Sequence, residues 1–532
     1  MSITSMLPLL AACSLWHSHM TSASDEEEER SCCSAAGDEA APHCGGCAQH
    51  NVAPLAALPE DATDKERWLR KIQEDINVSA HYALSPVLLE TFRKQLDAAA
   101  EDPDPSKRLL LRMRLATYLM FHGSTEQSIE EFEACVELQQ AHPDRTEVWV
   151  QRDVVYRLGL AHFRLGEQRN CIAHHNQESC IFPLRGGAVH VEPAGAEATT
   201  PVMRSLLEAD VNNHEARWVL NMAHMALGNY PDVVPKQYRY SPETFASEID
   251  PGRFLDVART RDLGRFSRAG TVLFADLNGD GYLDVLTCSF DTGTPLPLSL
   301  GDEHGDIVDA TAAAGLTHRS GGTNMIQGDV DNDGLLDVLV LRGGELAQAG
   351  EIPCSLLRQV RPGRFEDMTA AAGVEIAASS RSADFADIDG DGDMDLFIGY
   401  EAQRTADGAR YPSRLYLGDG QGVFEDVTKA SGVAADGWCV GVAFGDVDGE
   451  GDSDLYLAHF SQPNALYLND GYGGFTDATA RSSLAEPLLA SGSLFFDFDY
   501  DGDLDLSVPI HGHDQSNRRP ARSIQNDGCL ES

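Results

Sequence analysis

Positive charge is scarce in this sequence. Forty Lys and Arg stand against 84 Asp and Glu in 532 residues, a formal net charge of −44. That balance excludes binding to a nucleic-acid backbone and docking on anionic lipid, because both surfaces repel an acidic protein. Long apolar runs are also missing. No 18-residue apolar stretch occurs, so no membrane-spanning helix is expected. No G-x-S-x-G elbow, Walker loop or H-E-x-x-H pair is found, and the chain is expected not to be an enzyme. Apolar residues, by contrast, are plentiful. A hydrophobic content of 42% is too high for a disordered acidic chain. The length suits two to four folded domains, so the acid sits on folded surfaces and needs a neutralising partner.

The acid is unevenly placed. Residues 1–250 hold 37 acidic and 21 basic groups (−16), and residues 251–532 hold 47 and 19 (−28). In the second part it falls into five segments that align: DLNGDGYLD from Asp276, DVDNDGLLD from Asp329, DIDGDGDMD from Asp387, DVDGEGDSD from Asp446 and DFDYDGDLD from Asp497. Positions 1, 3, 5 and 9 of each carry oxygen side chains. These are Asp276, Asn278, Asp280 and Asp284; Asp329, Asp331, Asp333 and Asp337; Asp387, Asp389, Asp391 and Asp395; Asp446, Asp448, Glu450 and Asp454; and Asp497, Asp499, Asp501 and Asp505. Position 6 is always Gly.

Clustered carboxylates repel unless a cation joins them. Calcium takes six to eight oxygens in a tolerant geometry, whereas magnesium keeps more of its waters. Alternate residues of a tight loop can aim three side chains at one point, and Gly permits the sharp bend. Up to five calcium ions are therefore expected. An EF-hand starts the same way but needs a Glu at position 12. Here that position holds Thr287, Val340, Ile398, Leu457 and Val508. The flanks, such as LDVLVL and MDLFIG, are short and β-branched, so each motif reads as strand, cation loop, strand. Asn278 and Glu450 depart from the pattern, and the first and fourth sites are expected to be weaker.

The repeat extends beyond the loops. GDIVDATAAAGL (305–316), GRFEDMTAAAGV (363–374), GVFEDVTKASGV (422–433) and GGFTDATARSSL (473–484) fall between or after them, and RLYLGDG and ALYLNDG precede two of these. Each period then supplies about four strands, which is one blade of a β-propeller. These residues resemble the FG-GAP/VCBS repeats of integrin α-chain propellers. The loops joined to NDG and G-x-F-x-D-V-T segments are similar to the cartilage acidic protein family, whose members often end in an ASPIC/UnbV domain. The resemblance covers about residues 250–532. It implies calcium in the loops, an adhesion or recognition role outside the cytoplasm, and no catalytic constellation. Five loops in 282 residues, ending at SIQNDGCLES, suggest an incomplete propeller on a truncated chain.

Residues 65–245 read as an all-α domain. Leu109, Met113, Ala116, Tyr118 and Leu119 share one helical face. After a break at His122–Ser124, Ile129, Phe132, Cys135, Val136 and Leu138 share another. A second pair starts near Val148 and turns at Gly166; a third spans 201–210 and 216–227. RLGLAHFRLGE and RWVLNMAHMALGNY resemble tetratricopeptide repeats, which implies a concave protein-binding surface. The expected fold class is thus multidomain, a TPR-like all-α domain followed by an all-β propeller. An insertion at 170–190 carries Cys171, His174, His175, Cys180 and His190. It reads either as a Cys171–Cys180 disulfide beside solvent histidines or as a transition-metal site.

The first 20 residues read as a signal or lipoprotein segment, with Leu10–Cys13 resembling a lipobox and Cys13 a candidate for lipidation. The segment lacks the Lys and Arg of an ordinary leader. Residues 21–64 read as an acidic, cysteine-containing linker. Cys135, Cys288, Cys354, Cys439 and Cys529 are expected to be core or free thiols.

Together these features point to an exported calcium-binding recognition or adhesion protein of bacterial type, periplasmic, extracellular or surface-anchored by lipid. Its partner would be a protein or a carbohydrate, with no nucleic acid. Two alternatives stand beside it: a polysaccharide-active enzyme or lectin on a calcium-stabilised propeller, and a metal or redox role through the 170–190 insertion.

Overall fold

The computed structural model describes residue 67 and residues 86–100, 102–172, 174, 176, 178–179, 181–246, 257–264, 270–289, 295–344, 351–401, 411–434, 436–482, 487–510 and 522–524. Cys13, Cys180, His175, Cys529 and the expected leader and linker lie outside the described residues. From residue 86 on, the described residues divide into a helical unit, up to Val257, and a β-rich unit from Ala258.

Among the described residues the helical unit has six α-helices: α1 (Pro86–Ala98), α2 (Pro105–Phe121), α3 (Thr125–Ala141), α4 (Val148–Glu167), α5 (Ala194–Ala209) and α6 (His214–Ala226). The Asp104 side chain caps α2 by accepting from the Ser106 N–H, with Pro105 in the first turn. Gly123 (φ 86°) makes the bend into α3 that the sequence suggests. The α2 face buries Leu109, Met113, Ala116, Tyr118 and Leu119, and α3 buries Ile129, Phe132 and Cys135. In the second half, Met203, Leu206 and Leu207 of α5 share a core with Val219, Leu220 and Ala223 of α6.

Gly166 is not the turn the sequence suggests. Helix α4 runs on to Glu167 and continues as a π turn, Gln168–Ile172. The glycine serves close approach of helices instead: a Cβ on Gly195 of α5 would lie 2.6 Å from the Gly166 nitrogen.

Among the described residues the β unit shows five successive antiparallel sheets. The first holds β1 (Val272–Ala275), β2 (Asp284–Thr287), β3 (Leu298–Gly301) and β4 (Ile307–Asp309). The second holds β5 (Asn324–Gly328), β6 (Asp337–Leu341), β7 (Ser355–Arg361) and β8 (Arg364–Asp367). The third holds β9 (Ser380–Ala386), β10 (Asp395–Tyr400), β11 (Arg414–Gly418) and β12 (Phe424–Asp426). The fourth holds β13 (Cys439–Gly445), β14 (Asp454–Pro463), β15 (Ala465–Asn469) and β16 (Phe475–Asp477), with β17 (Pro487–Leu489) paired to β14. The fifth holds β18 (Leu494–Phe496), β19 (Asp505–Val508) and β20 (Arg522–Ile524). Each sheet is a meander in sequence order, and each acidic motif joins the first strand to the second. No closed ring of sheets is seen among the described residues.

Apolar faces of neighbouring sheets pack on each other. Leu286 and Leu298 of the first sheet share a core with Met325, Val338, Val340 and Leu357 of the second. Phe397 and Leu415 of the third share one with Val442, Leu455 and Leu457 of the fourth. Strands β6 and β10 are therefore buried along their whole length, which explains the unbroken apolar runs LDVLVL and MDLFIG. The first strands are also tied edge to edge: Val442 N–H donates to Ser382 Oγ at 2.9 Å and Phe444 N–H to the Asp384 carboxylate at 3.0 Å.

The G-x-F-x-D-x-T segments have two structural jobs. The Phe365, Phe424 and Phe475 N–H groups donate to Ala314, Ala372 and Ser431 carbonyls of the preceding repeat, at 3.0, 3.0 and 2.7 Å. The Asp orients the Thr two residues on, as Asp426 does by accepting from Thr428 Oγ1 at 2.6 Å. That hydroxyl then accepts from a third-strand N–H, Leu415 at 2.9 Å. The same step recurs at Thr311, Thr369 and Thr479. Buried Cys135, Cys288, Cys354 and Cys439 pack in the cores as expected.

Candidate metal centre

Each acidic motif forms a tight loop held by its own carboxylates. The position-1 Asp accepts from the position-6 Gly N–H: Asp276 from Gly281 at 2.7 Å, Asp329 from Gly334 at 2.9 Å, Asp387 from Gly392 and Asp446 from Gly451 at 3.0 Å, and Asp497 from Gly502 at 3.2 Å. In the first, second, third and fifth loops the position-5 Asp accepts from the N–H two residues on. Such local side-chain bonds replace the backbone ladder in turns. Position 4 is left-handed in every loop, at Gly279, Asn332, Gly390, Gly449 and Tyr500, and so is the position-6 Gly. The recurrent Gly was legible in the sequence; the bend at position 4 was hidden because Asn332 and Tyr500 break the glycine pattern.

The position-9 Asp is the deepest group. Asp284, Asp337, Asp395, Asp454 and Asp505 are 0–2% exposed. One oxygen accepts from the position-2 N–H, as Asp395 does from Ile388 at 2.8 Å. The other reaches the third strand, accepting from Gly301, Gln359, Gly418 and Asn469 N–H in the first four repeats. This residue locks the loop to the sheet. Burial pushes the Asp337 and Asp454 carboxyls up to about 7 and Asp395 up to about 6. A cation beside them offsets that cost of holding buried negative charge.

The carboxylates converge at four of the five loops. One oxygen from each of Asp329, Asp331 and Asp333 lies within 4.8 Å of the others, as do those of Asp387, Asp389 and Asp395, of Asp446, Asp448 and Asp454, and of Asp497, Asp499 and Asp505. This donor set, all hard oxygen on one side of a bend, fits calcium better than a soft metal. Among the described residues the first loop forms no such group, and Asn278 Nδ2 instead donates to Asp280 at 2.9 Å. Asp337, Asp391, Glu450 and Asp501 stand outside the convergent sets. Arg358, which the sequence reading missed, pairs with Asp331 and lies 3.6 Å from Asp333.

In the helical unit, Cys171 Sγ lies 3.6 Å from His190 Nε2. His190 is buried, its ring stacked 6.1 Å from that of Phe163, and burial lowers its basicity. Asn170 ties the insertion down by bonding Gly166 and Glu192 carbonyls. Cys171 and His174 line a cavity of about 290 Å³. No helix among the described residues is long and apolar enough to cross a membrane.

The FG-GAP-like repeat family matches residues 329–398 and 405–457, which contain the second, third and fourth loops. Comparison with curated proteins gives no match. Among solved structures, the V. cholerae biofilm matrix protein Bap1 is similar at 15% identity over 46% of this chain and 34% of that one, with a TM-score of 0.27.

Proposed function

We propose that this chain is a non-catalytic, exported recognition or adhesion protein whose β unit is a calcium-stabilised array of FG-GAP-type blades. The observation that carries the reading is the recurrence of one construction: a carboxylate triad at the bend of each sheet's first hairpin, in four repeats. Three of these loops lie in the segments that match FG-GAP-like repeats. Bound calcium supplies the positive charge that lets the acidic side chains share one bend. The protein's own residues do the rest. Position-1 and position-9 carboxylates hold the loop closed and fasten it to the third strand. Folding is then linked to external calcium, because only the folded hairpin assembles the donor set. Extracellular modules need only about 10⁻⁴–10⁻³ M affinity.

The successive meanders, with second strands buried along their whole length in the second and third sheets, are in keeping with propeller blades. The antiparallel pairs α2–α3 and α5–α6 are in keeping with a tetratricopeptide-like recognition surface, and the acidic surface with a protein or glycan partner rather than nucleic acid. A panel of glycans and matrix proteins, tested in calcium and in EDTA, discriminates the readings. Calcium-dependent binding without product is expected; chemical turnover of a glycan would overturn the non-catalytic reading.

A second reading attaches to the contact of Cys171 Sγ with His190 Nε2. Thiolate and imidazole together suit zinc or copper. Elemental analysis of purified protein tests it: stoichiometric zinc or copper supports a metal role in the helical unit, and calcium alone overturns it.

A further inference from the structure

We propose that the loop Asp329–Asp337 carries its own cation, the Arg358 guanidinium, and is held closed without calcium while the convergent third, fourth and fifth loops use the ion. The inference rests on the calcium reading above. Register supplies the argument. The third strand of each sheet pairs with the second, so Val285, Val338, Leu396 and Leu455 stand opposite Ser299, Leu357, Tyr416 and Tyr467. The next residue along the third strand is Leu300, Arg358, Leu417 and Leu468. Three repeats place an apolar side chain there, and the second places a guanidinium. The fifth repeat's counterpart lies outside the described residues.

The position matters because its C-terminal neighbour is the one whose N–H binds the position-9 Asp: Gly301, Gln359, Gly418 and Asn469. A long side chain at this point reaches the loop. Arg358 does so, forming an ion pair with Asp331 and approaching Asp333 to 3.6 Å. Both are members of the convergent carboxylate set. The Asp331 carboxylate is almost fully enclosed (3% exposed), and Arg358 is the cation that pairs with it. The guanidinium is therefore the charge partner of a buried acid. One unit charge replaces two at the place where calcium would sit, and a cation entering must displace it.

The test is calcium stoichiometry by equilibrium dialysis and titration calorimetry on the full chain, comparing wild type with Arg358→Leu, Arg358→Gln and Arg358→Lys. Leu restores the residue of the other repeats, Gln removes the charge at similar length, and Lys keeps the charge. Circular dichroism confirms folding of each. Leu and Gln variants are expected to bind one more calcium per chain than wild type, and the Lys variant to match wild type. Equal stoichiometry and affinity in all four proteins would overturn the inference while leaving the calcium reading intact. Failure of every protein to bind calcium would overturn both.

Discussion

The Gly473 N–H donates to the Ile388 carbonyl at 3.0 Å. Ile388 is position 2 of the third acidic loop, and Gly473 lies in the β15–β16 turn of the next sheet. Asn469 Nδ2 reaches the same carbonyl at 2.8 Å. The first and second sheets repeat the arrangement, with Gly363 N–H donating to Leu277 at 2.8 Å. The loops are thus joints between sheets as well as bends within them. Hydrogen exchange follows local opening, so removing calcium should expose the Gly473 amide, with exchange about tenfold faster or more in EDTA (~1.4 kcal/mol of lost local stability). Unchanged protection at Gly473 would show that the loop and the joint are independent.

Asp395 accepts from Ile388 and Gly418 N–H groups, both at 2.8 Å. Asp395→Ala leaves two enclosed donors without partners, a loss of about 2–6 kcal/mol at 1–3 kcal/mol each. Thermal melting in saturating calcium measures it. Asp391→Ala, which removes an exposed turn acceptor of the Asp393 N–H outside the convergent set, should cost far less.

Tyr500 sits at φ 64° and is 92% exposed. Gly occupies the matching position of the first, third and fourth loops. A left-handed conformation costs a non-glycine residue about 1–2 kcal/mol, and glycine gives back part of that in unfolded-state entropy. Tyr500→Gly should therefore stabilise the fifth hairpin by about 0.5–1 kcal/mol. A lower melting temperature or weaker calcium binding in this variant would contradict the assignment.

His162, His190 and His224 in the helical unit are held below the ordinary imidazole range by burial. Their folded-state proton affinity is lower than in the unfolded chain. The unfolded chain therefore binds more protons near and below pH 6.5, and stability falls as pH falls. Helical circular dichroism in excess calcium should show the melting temperature constant above about pH 7 and declining below about 6.5. A melting temperature that rises on acidification over that range would contradict this picture.

Much of this architecture is written in the order of residues. The five acidic motifs are legible because each needs oxygen at alternate positions and Gly at a bend, and their flanks read as strands because β6 and β10 are buried on both faces. The helix pair around Gly123 was equally plain from its apolar spacing. Other features depend on partners distant in sequence. Arg358 lies 27 residues from Asp331, and only strand register brings them together. The buried Arg342 guanidinium, bonded to Ser320, Gly321 and Pro353 carbonyls and to Ser355 Oγ, gives no local signal either. Gly166 misled because glycine serves close helix contact as readily as a turn. The role of Thr in D-x-T was missed because its acceptor function is for a strand N–H 13 residues earlier.

Under the proposed function, calcium at the third, fourth and fifth loops holds the β unit. Thermal unfolding of the full chain in millimolar calcium against EDTA, with millimolar magnesium as a control for ionic screening, tests it most directly. A large rise in melting temperature with calcium and little with magnesium is expected; identical melting in calcium and in EDTA would contradict a calcium-held β unit.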